Sequence, residues 1–261
     1  MKPNVTPTLR PQRQTADSYL QNIPSLVSYF DLVRIINLGI RADRRAETKR
    51  EFARHGWLID GERLAFFEAI TPKTAGGFPN SAVRGCYLSH LTVLEAALSE
   101  SANHLLVLED DIAFVRRIDS LGIQAVTQLD TMEWDLAYFG HAFEDLPGAP
   151  RWERVTGQMQ HAHFYAANKQ VLPRLIDFLQ RVAARPPGHP EGGPMHYDGA
   201  LSTFFAQNPD IRAFYFSRNL GYQRPSRTDL HPVSFLDRHP LLMPMRVIYR
   251  AIKRAYWHAM R

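Results

Sequence analysis

Short apolar runs of strand length alternate with runs of helical periodicity along the first 140 residues, and this alternation constrains the fold more than any other feature of the chain. It points to an α/β layered domain with a mostly parallel central sheet. Residues 32–38 are β-branched and apolar and stop at Gly39, the pattern of a buried strand. Residues 42–55 are rich in helix formers and stop at Gly56, a residue suited to the turn after a helix. Residues 64–70 read as a second strand. Residues 71–84 hold Pro72, Gly76, Gly77 and Pro79 and read as a loop. Residues 85–100 give the clearest helix, with Leu88, Leu91, Leu94 and Leu98 at three- and four-residue spacing. Then comes the apolar strand His104-Leu105-Leu106-Val107-Leu108, and another strand over 135–140. Further on, the pattern predicts a strand at 163–167, an amphipathic helix at 171–184 with Pro173 in its first turn, and a loop at 185–194. A short helix at 197–206 and a strand at 211–216 follow, and there is no internal repeat.

With 45% hydrophobic and 22% charged residues, the 261-residue chain has enough apolar material for a full core. No uncharged apolar stretch is long enough to span a bilayer, and the first residues lack the apolar segment of a secretory signal. The single cysteine, Cys86, has no internal disulfide partner and is read as a packing residue in a reducing compartment, the cytoplasm. The net charge of +5 sits at the ends. Lys2, Arg10 and Arg13 lie in the first 14 residues, and Arg246, Arg250, Lys253, Arg254 and Arg261 in the last 20. Removing those eight from 31 basic groups leaves 23 against 26 acids, so the body is not a basic surface for nucleic acid. The expected organisation is a flexible tail over 1–28, one domain over 29–240, and a basic amphipathic helix over 241–261. That helix has the composition to lie on an anionic membrane surface, the alternative being a terminal helix packed on the domain.

Glu109-Asp110-Asp111 follows the apolar strand directly. In open α/β sheets, ligands bind beyond the carboxyl ends of strands, where this triplet sits. Three adjacent carboxylates repel one another. Solvent, arginines or a divalent cation must offset that, and all-oxygen ligation suits Mg²⁺ or Mn²⁺. In extended chain, residues 109 and 111 face one way. The plainer alternative is that Asp110 or Asp111 caps a following helix. His161 and His163 lack the further ligands that a zinc site needs.

Gly85-Cys86-Tyr87-Leu88-Ser89-His90, followed by Leu106-Val107-Leu108-Glu109-Asp110-Asp111-Ile112, resembles glycosyltransferase family 25, the bacterial lipooligosaccharide β-galactosyltransferases. Three more segments fit in the same order. They are Ile36-Asn37-Leu38 with Arg41-Ala42-Asp43-Arg44-Arg45, then Tyr197-Asp198-Gly199-Ala200-Leu201, and Gln223-Arg224-Pro225-Ser226-Arg227-Thr228-Asp229-Leu230. Ala82-Val83-Arg84 departs from the family's Gly-Glu-Ile, and Arg224 and Arg227 make the last segment more basic.

The resemblance implies a GT-A-like single domain that binds a nucleotide sugar. It implies Mn²⁺ (or Mg²⁺) as cofactor, a UDP-sugar donor, and inverting transfer of a hexose, usually galactose, to a lipopolysaccharide-type glycan. Asp111 is then the expected metal ligand, with Asp110 as a second ligand or its orienter and His231 as a nitrogen ligand. Asn37, Arg41, Arg44, Arg45, Ser89, His90, Glu109 and Gln223 are the expected donor-pocket residues. Inversion calls for a general base on the acceptor hydroxyl. Asp198 is the first candidate and Asp229 the second. Two other functions compete, a metal-dependent phosphoesterase and a glycan- or membrane-binding module without turnover.

Overall fold

The computed structural model describes residues 25–159 and 161–224. Among these residues nine strands and five α-helices follow one another: β1 (Leu32–Asn37), α1 (Ala42–Ala53), β2 (Leu64–Glu68), α2 (Ser81–Ser99), β3 (His104–Glu109), β4 (Ile112–Phe114), α3 (Ile118–Asp130), β5 (Leu136–Gly140), β6 (Trp152–Arg154), β7 (Phe164–Asn168), α4 (Leu172–Ala184), α5 (Tyr197–Gln207), β8 (Ala213–Phe216) and β9 (Gly221–Gln223). Seven strands form one sheet in the order β2-β1-β3-β7-β5-β8-β6, and β4 pairs with β9 in a second.

The α/β class and the mostly parallel central sheet expected from the sequence are present. β1 lies parallel to both β2 and β3, and β5 parallel to β8. β7 is antiparallel to β3 and β5, and β6 to β8, so five of the seven strands run one way. Alternation along β3 divides the core. Leu105 and Val107 face one layer with α2, α4 and α5, while Leu106 and Leu108 face the other with α1 and α3. Both faces are covered, which is why the strand carries no polar residue between His104 and Glu109.

The strands and helices expected from the pattern are found within a few residues, with three differences. The helix expected to start at Gly85 starts at Ser81, because the Asn80 side chain accepts a hydrogen bond from the Val83 amide (2.8 Å) and caps it. Residues 26–28, expected in the tail, belong to a 3-10 turn (Leu26–Tyr29) whose Leu26 and Val27 are buried against α3. Helix α3 and the three-residue strands β4, β6 and β9 were not expected.

Two glycines are needed where they stand. Gly56 has φ +68° after α1, a backbone conformation that L side chains rarely adopt. At Gly85 a Cβ would come within 2.5 Å of the Ile70 carbonyl oxygen, so its absence lets α2 rest on the loop after β2. No helix among the described residues is long and apolar enough to cross a membrane. Asp229, His231 and segment 241–261 lie outside the described residues.

Candidate active site

β1 and β3 lie side by side with Ile36 opposite Glu109, so both carboxyl ends open at one edge. Past Glu109 the chain turns through Asp110 and Asp111 directly into β4, and no helix begins until Ile118. Neither aspartate caps a helix, which removes the plainer alternative. β9 pairs with β4 so that Gln223 lies opposite Ile112, bringing the late motif onto the triplet.

Asp110 turns inward and is 4% exposed. Its Oδ2 accepts a hydrogen bond from Asn37 Nδ2 (2.7 Å), and its Oδ1 accepts one from Arg44 (2.9 Å). Its carbonyl accepts from the Thr48 hydroxyl and from the Arg224 guanidinium, both at 2.6 Å. Asp110, expected as a second metal ligand or as the orienter of the first, ties β1, α1 and the end of β9 together, and each of its carboxylate oxygens accepts one of these hydrogen bonds. Asn37, expected in the donor pocket, is buried beneath it as one of them.

The Asp111 carbonyl accepts from the Arg224 amide (2.6 Å), but its carboxylate is held differently from that of Asp110. Oδ2 lies 3.7 Å from Arg44, and Oδ1 is buried without a hydrogen-bond partner. Burial pushes the pKa of this carboxyl up, and the Glu109 and Asp110 charges push it further. Arg44 and Arg224 pull against them, and the balance is about 7. A carboxylate oxygen without a partner, beside other carboxylates, suits a hard divalent cation such as Mn²⁺ or Mg²⁺. Asp111 fits that ion, while each carboxylate oxygen of Asp110 already accepts a hydrogen bond.

Glu109 is held differently. Its Oε2 accepts from Gln223 Nε2 (3.0 Å), and its Oε1 lies 3.6 Å from His90 Nε2. Burial opposes its charge. The His90 contact and charge, the His163 charge and the Gln223 amide together outweigh burial and hold its pKa below the ordinary value. The contact continues inward: His90 Nδ1 is 3.2 Å from the Tyr165 hydroxyl, itself 2.9 Å from the Tyr197 hydroxyl. His90 also stacks on Tyr197, with centroids 4.1 Å apart.

Two cavities meet at this edge. The smaller, about 360 Å³, is lined by Ile36, Leu38, Ile40 and Pro72 on its apolar side and by Arg44 and Asp111 on its charged side. The larger, about 820 Å³, is lined by polar groups including Gln158, His161, His196, Asp198 and Gln207. Cys86, Glu109 and Gln223 line both. Asp198 sits in the first turn of α5, where its Oδ2 accepts from the His161 amide (3.1 Å).

The remaining expected residues fall on either side of this boundary. His90 lines the smaller cavity. Arg41 pairs with Asp43 at 2.9 Å, and the Arg45 guanidinium lies 4.5 Å over the Phe66 ring. Of the three arginines, it is Arg44 that the structure brings to the triplet. Ser89 accepts from the Ile70 amide (2.8 Å) and donates to the Gly85 carbonyl (2.7 Å), so its hydroxyl fastens the loop after β2 to α2. His161 and His163 precede β7 rather than lying in it, and His161 has φ +66°. Cys86, read as packing, was the residue the sequence reading missed. Its sulfur lies with the His90 and Glu109 ligand atoms, all within 4.8 Å of one another. Burial pushes its thiol pKa well up, and the charges of Glu109, Asp198 and Asp111 add to that.

No family model matches the chain. It is 25% identical over 171 residues to the lacto-N-neotetraose biosynthesis glycosyltransferase LgtB of Neisseria meningitidis, covering 59% of this chain and 62% of that one. It is also 25% identical over 173 residues to a glycosyltransferase 25 family member of Drosophila melanogaster, covering 60% of this chain and 28% of that one. The matches thus span less than two thirds of either relative. Among solved structures, the glycosyltransferase involved in glycosylation of the major capsid of PBCV-1 aligns with TM-score 0.43 and 10% identity, covering 76% of this chain and 94% of that one. Over about 60% of its length the chain is similar to glycosyltransferases, one of them named for family 25, which is the resemblance its own motifs carry.

Proposed function

We propose that the chain is a metal-dependent, inverting glycosyltransferase that moves a hexose, galactose in the first instance, from a UDP-sugar to a lipopolysaccharide-type glycan. The observation that carries this reading is the buried, partnerless Oδ1 of Asp111 at the carboxyl end of β3. Arg44 and the apolar side of the smaller cavity stand beside it. Asp111 would hold Mn²⁺ or Mg²⁺, which supplies positive charge to the departing diphosphate.

The protein's own groups divide the remaining work. Ile36, Leu38, Ile40 and Pro72 offer apolar surface to the uracil. Ile40, 86% exposed, is the kind of unburied side chain that a bound base covers. Arg44 adds positive charge to the diphosphate side while neutralising Asp110. The larger cavity takes the acceptor glycan, whose hydroxyls match its amides and imidazoles. Asp198 takes the proton from the attacking hydroxyl, steadied by the His161 amide. Glu109 and Gln223, shared by both cavities, lie where donor sugar and acceptor meet. The basic segment 241–261 would keep the enzyme on the anionic cytoplasmic face of the inner membrane, close to a lipid-anchored acceptor.

The test is UDP release from UDP-galactose with lipooligosaccharide core as acceptor. Turnover that needs Mn²⁺ or Mg²⁺, and falls by about 10²–10⁴ in Asp198→Asn while UDP still binds, supports the reading. A protein that UDP does not stabilise against heat even with metal, but that hydrolyses phosphate monoesters, is a phosphoesterase and overturns it. Glycan binding without any UDP release overturns it as well. Sedimentation with anionic vesicles, unchanged by deleting residues 242–261, would remove the membrane role.

A further inference from the structure

Cys86 and His90 are four residues apart on α2 and present their side chains one above the other on a single helical face. Glu109 meets them from the end of β3. The three ligand atoms lie within 4.8 Å of one another, and His90 Nε2 is 3.6 Å from Glu109 Oε1. Bonds of ~2.0–2.2 Å to nitrogen and oxygen in a tetrahedral site put two such ligands about 3.4 Å apart, so that pair is already spaced to share an ion. We propose that Cys86, His90 and Glu109 form a binding site for a soft divalent cation of the zinc class, separate from the hard-cation position at Asp111.

Three further features favour the ion. His90 Nδ1 faces the Tyr165 hydroxyl at 3.2 Å, and the Tyr165 oxygen faces Tyr197 at 2.9 Å. With Nδ1–H donating to Tyr165, the lone pair of Nε2 is left pointing at Glu109, and such an outer partner is what a metal-bound imidazole keeps on its second nitrogen. The carboxylates of Glu109, Asp198 and Asp111 all act electrostatically on the thiol, giving the spot a negative potential that favours a cation. Both cavities reach Cys86 and Glu109, which leaves the fourth coordination position open to water or to an incoming ligand. A thiolate among the ligands selects zinc over magnesium or manganese. On binding, the sulfur–hydrogen bond gives way to a sulfur–metal bond and the proton leaves to solvent. None of this depends on sugar transfer.

Cobalt(II) is the probe, because Cys86 is the sole cysteine of the chain and any thiolate-to-cobalt charge-transfer band must come from it. The full-length protein titrated with Co²⁺ should develop that band in the near ultraviolet, saturating at one ion per chain. Zn²⁺ should abolish it at one equivalent, and excess Mg²⁺ should leave it unchanged. Cys86→Ser should lose the band and bind Zn²⁺ more than about tenfold less tightly, since removing even an outer-shell partner costs about that much. Glu109→Gln, which leaves the thiol in place, should keep a band that saturates only at higher Co²⁺. Cobalt binding without the band would overturn the proposal, as would parental zinc affinity in Cys86→Ser. So would a band that appears only as the protein dimerises in sedimentation, which means an ion bridging two chains.

Discussion

Replacing Asp111 by Asn should make the metal-free protein more stable, by an amount that depends on pH. In the folded chain this carboxyl titrates near 7, against 3.8 for an ordinary Asp. Because the folded-state value is the higher one, the folded state binds the proton more tightly. The resulting stabilisation is fully present below pH 3.8 and is lost as pH rises through 7. Each pH unit between those values costs about 1.4 kcal/mol, so at pH 8 the ionised group works against folding by at most about 4 kcal/mol. Asn keeps the shape and lacks the charge. Urea denaturation of parent and variant in chelator should show the variant more stable by up to about 4 kcal/mol at pH 8. The gap should shrink to roughly 1–2 kcal/mol at pH 5. Mn²⁺ should narrow the gap at pH 8, because it binds the folded parent and adds about 2.7 kcal/mol at a hundredfold excess over its Kd. Equal stability of the two proteins at pH 8, or a gap that does not change with pH, would refute the electrostatic account of this site.

Arg44→Ala should cost about 3–5 kcal/mol in the same denaturation assay, since it leaves the Asp110 carboxylate buried without its cation. A loss below about 1 kcal/mol would mean that Asn37 alone suffices. Gly85→Ala should destabilise by about 1–3 kcal/mol, because the added methyl meets the Ile70 carbonyl oxygen. An unchanged midpoint would show that α2 slides freely on that loop. Burial holds the His163 pKa below its usual 6.5, so the folded chain resists protonation and stability should fall as pH drops below 6.5. His163→Gln should flatten that fall in melting temperature between pH 7 and 5, and an identical slope would place the acid sensitivity elsewhere.

The elements legible in the sequence were those whose burial pattern repeats over several turns or a full strand. β3 could be read because nothing polar interrupts residues 105–108, and α2 because its leucines mark one face. Its start at Ser81 is obscured in the sequence because Pro72, Gly76, Gly77 and Pro79 give the preceding stretch a loop composition that runs up to Asn80, the residue that caps the helix. Strands β4, β6 and β9 have three residues each, too few for alternation to register, and they exist because partners distant in sequence supply their hydrogen bonds. Helix α3 carries Gly122 where Leu26 packs against it, and that interrupts the pattern that would announce it. At the site, the expectation that residues 109 and 111 share a face assumed extended chain, whereas the chain turns at Asp110 and Asp111, and all three carboxyl residues line the smaller cavity. The inward role of Asp110 was hidden, because its partners come from β1, α1 and the end of β9. The approach of Cys86 to Glu109 was equally hidden, since only their meeting in space makes a set of ligands.

The antiparallel strand β7 lies between β3 and β5 but is synthesised after both. A nascent chain that has not yet emerged past residue 168 therefore carries one three-stranded half-sheet, β2-β1-β3, with a bare hydrogen-bonding rim along β3, and a β5 whose partners β7 and β8 are both still to be made. Nothing made earlier fills that slot, so β5 stays apart from the half-sheet until β7 arrives between them, and β8 and β6 can join only after residue 216. During translation this is the interval in which the polypeptide is most exposed to pairing with a neighbour instead of with itself.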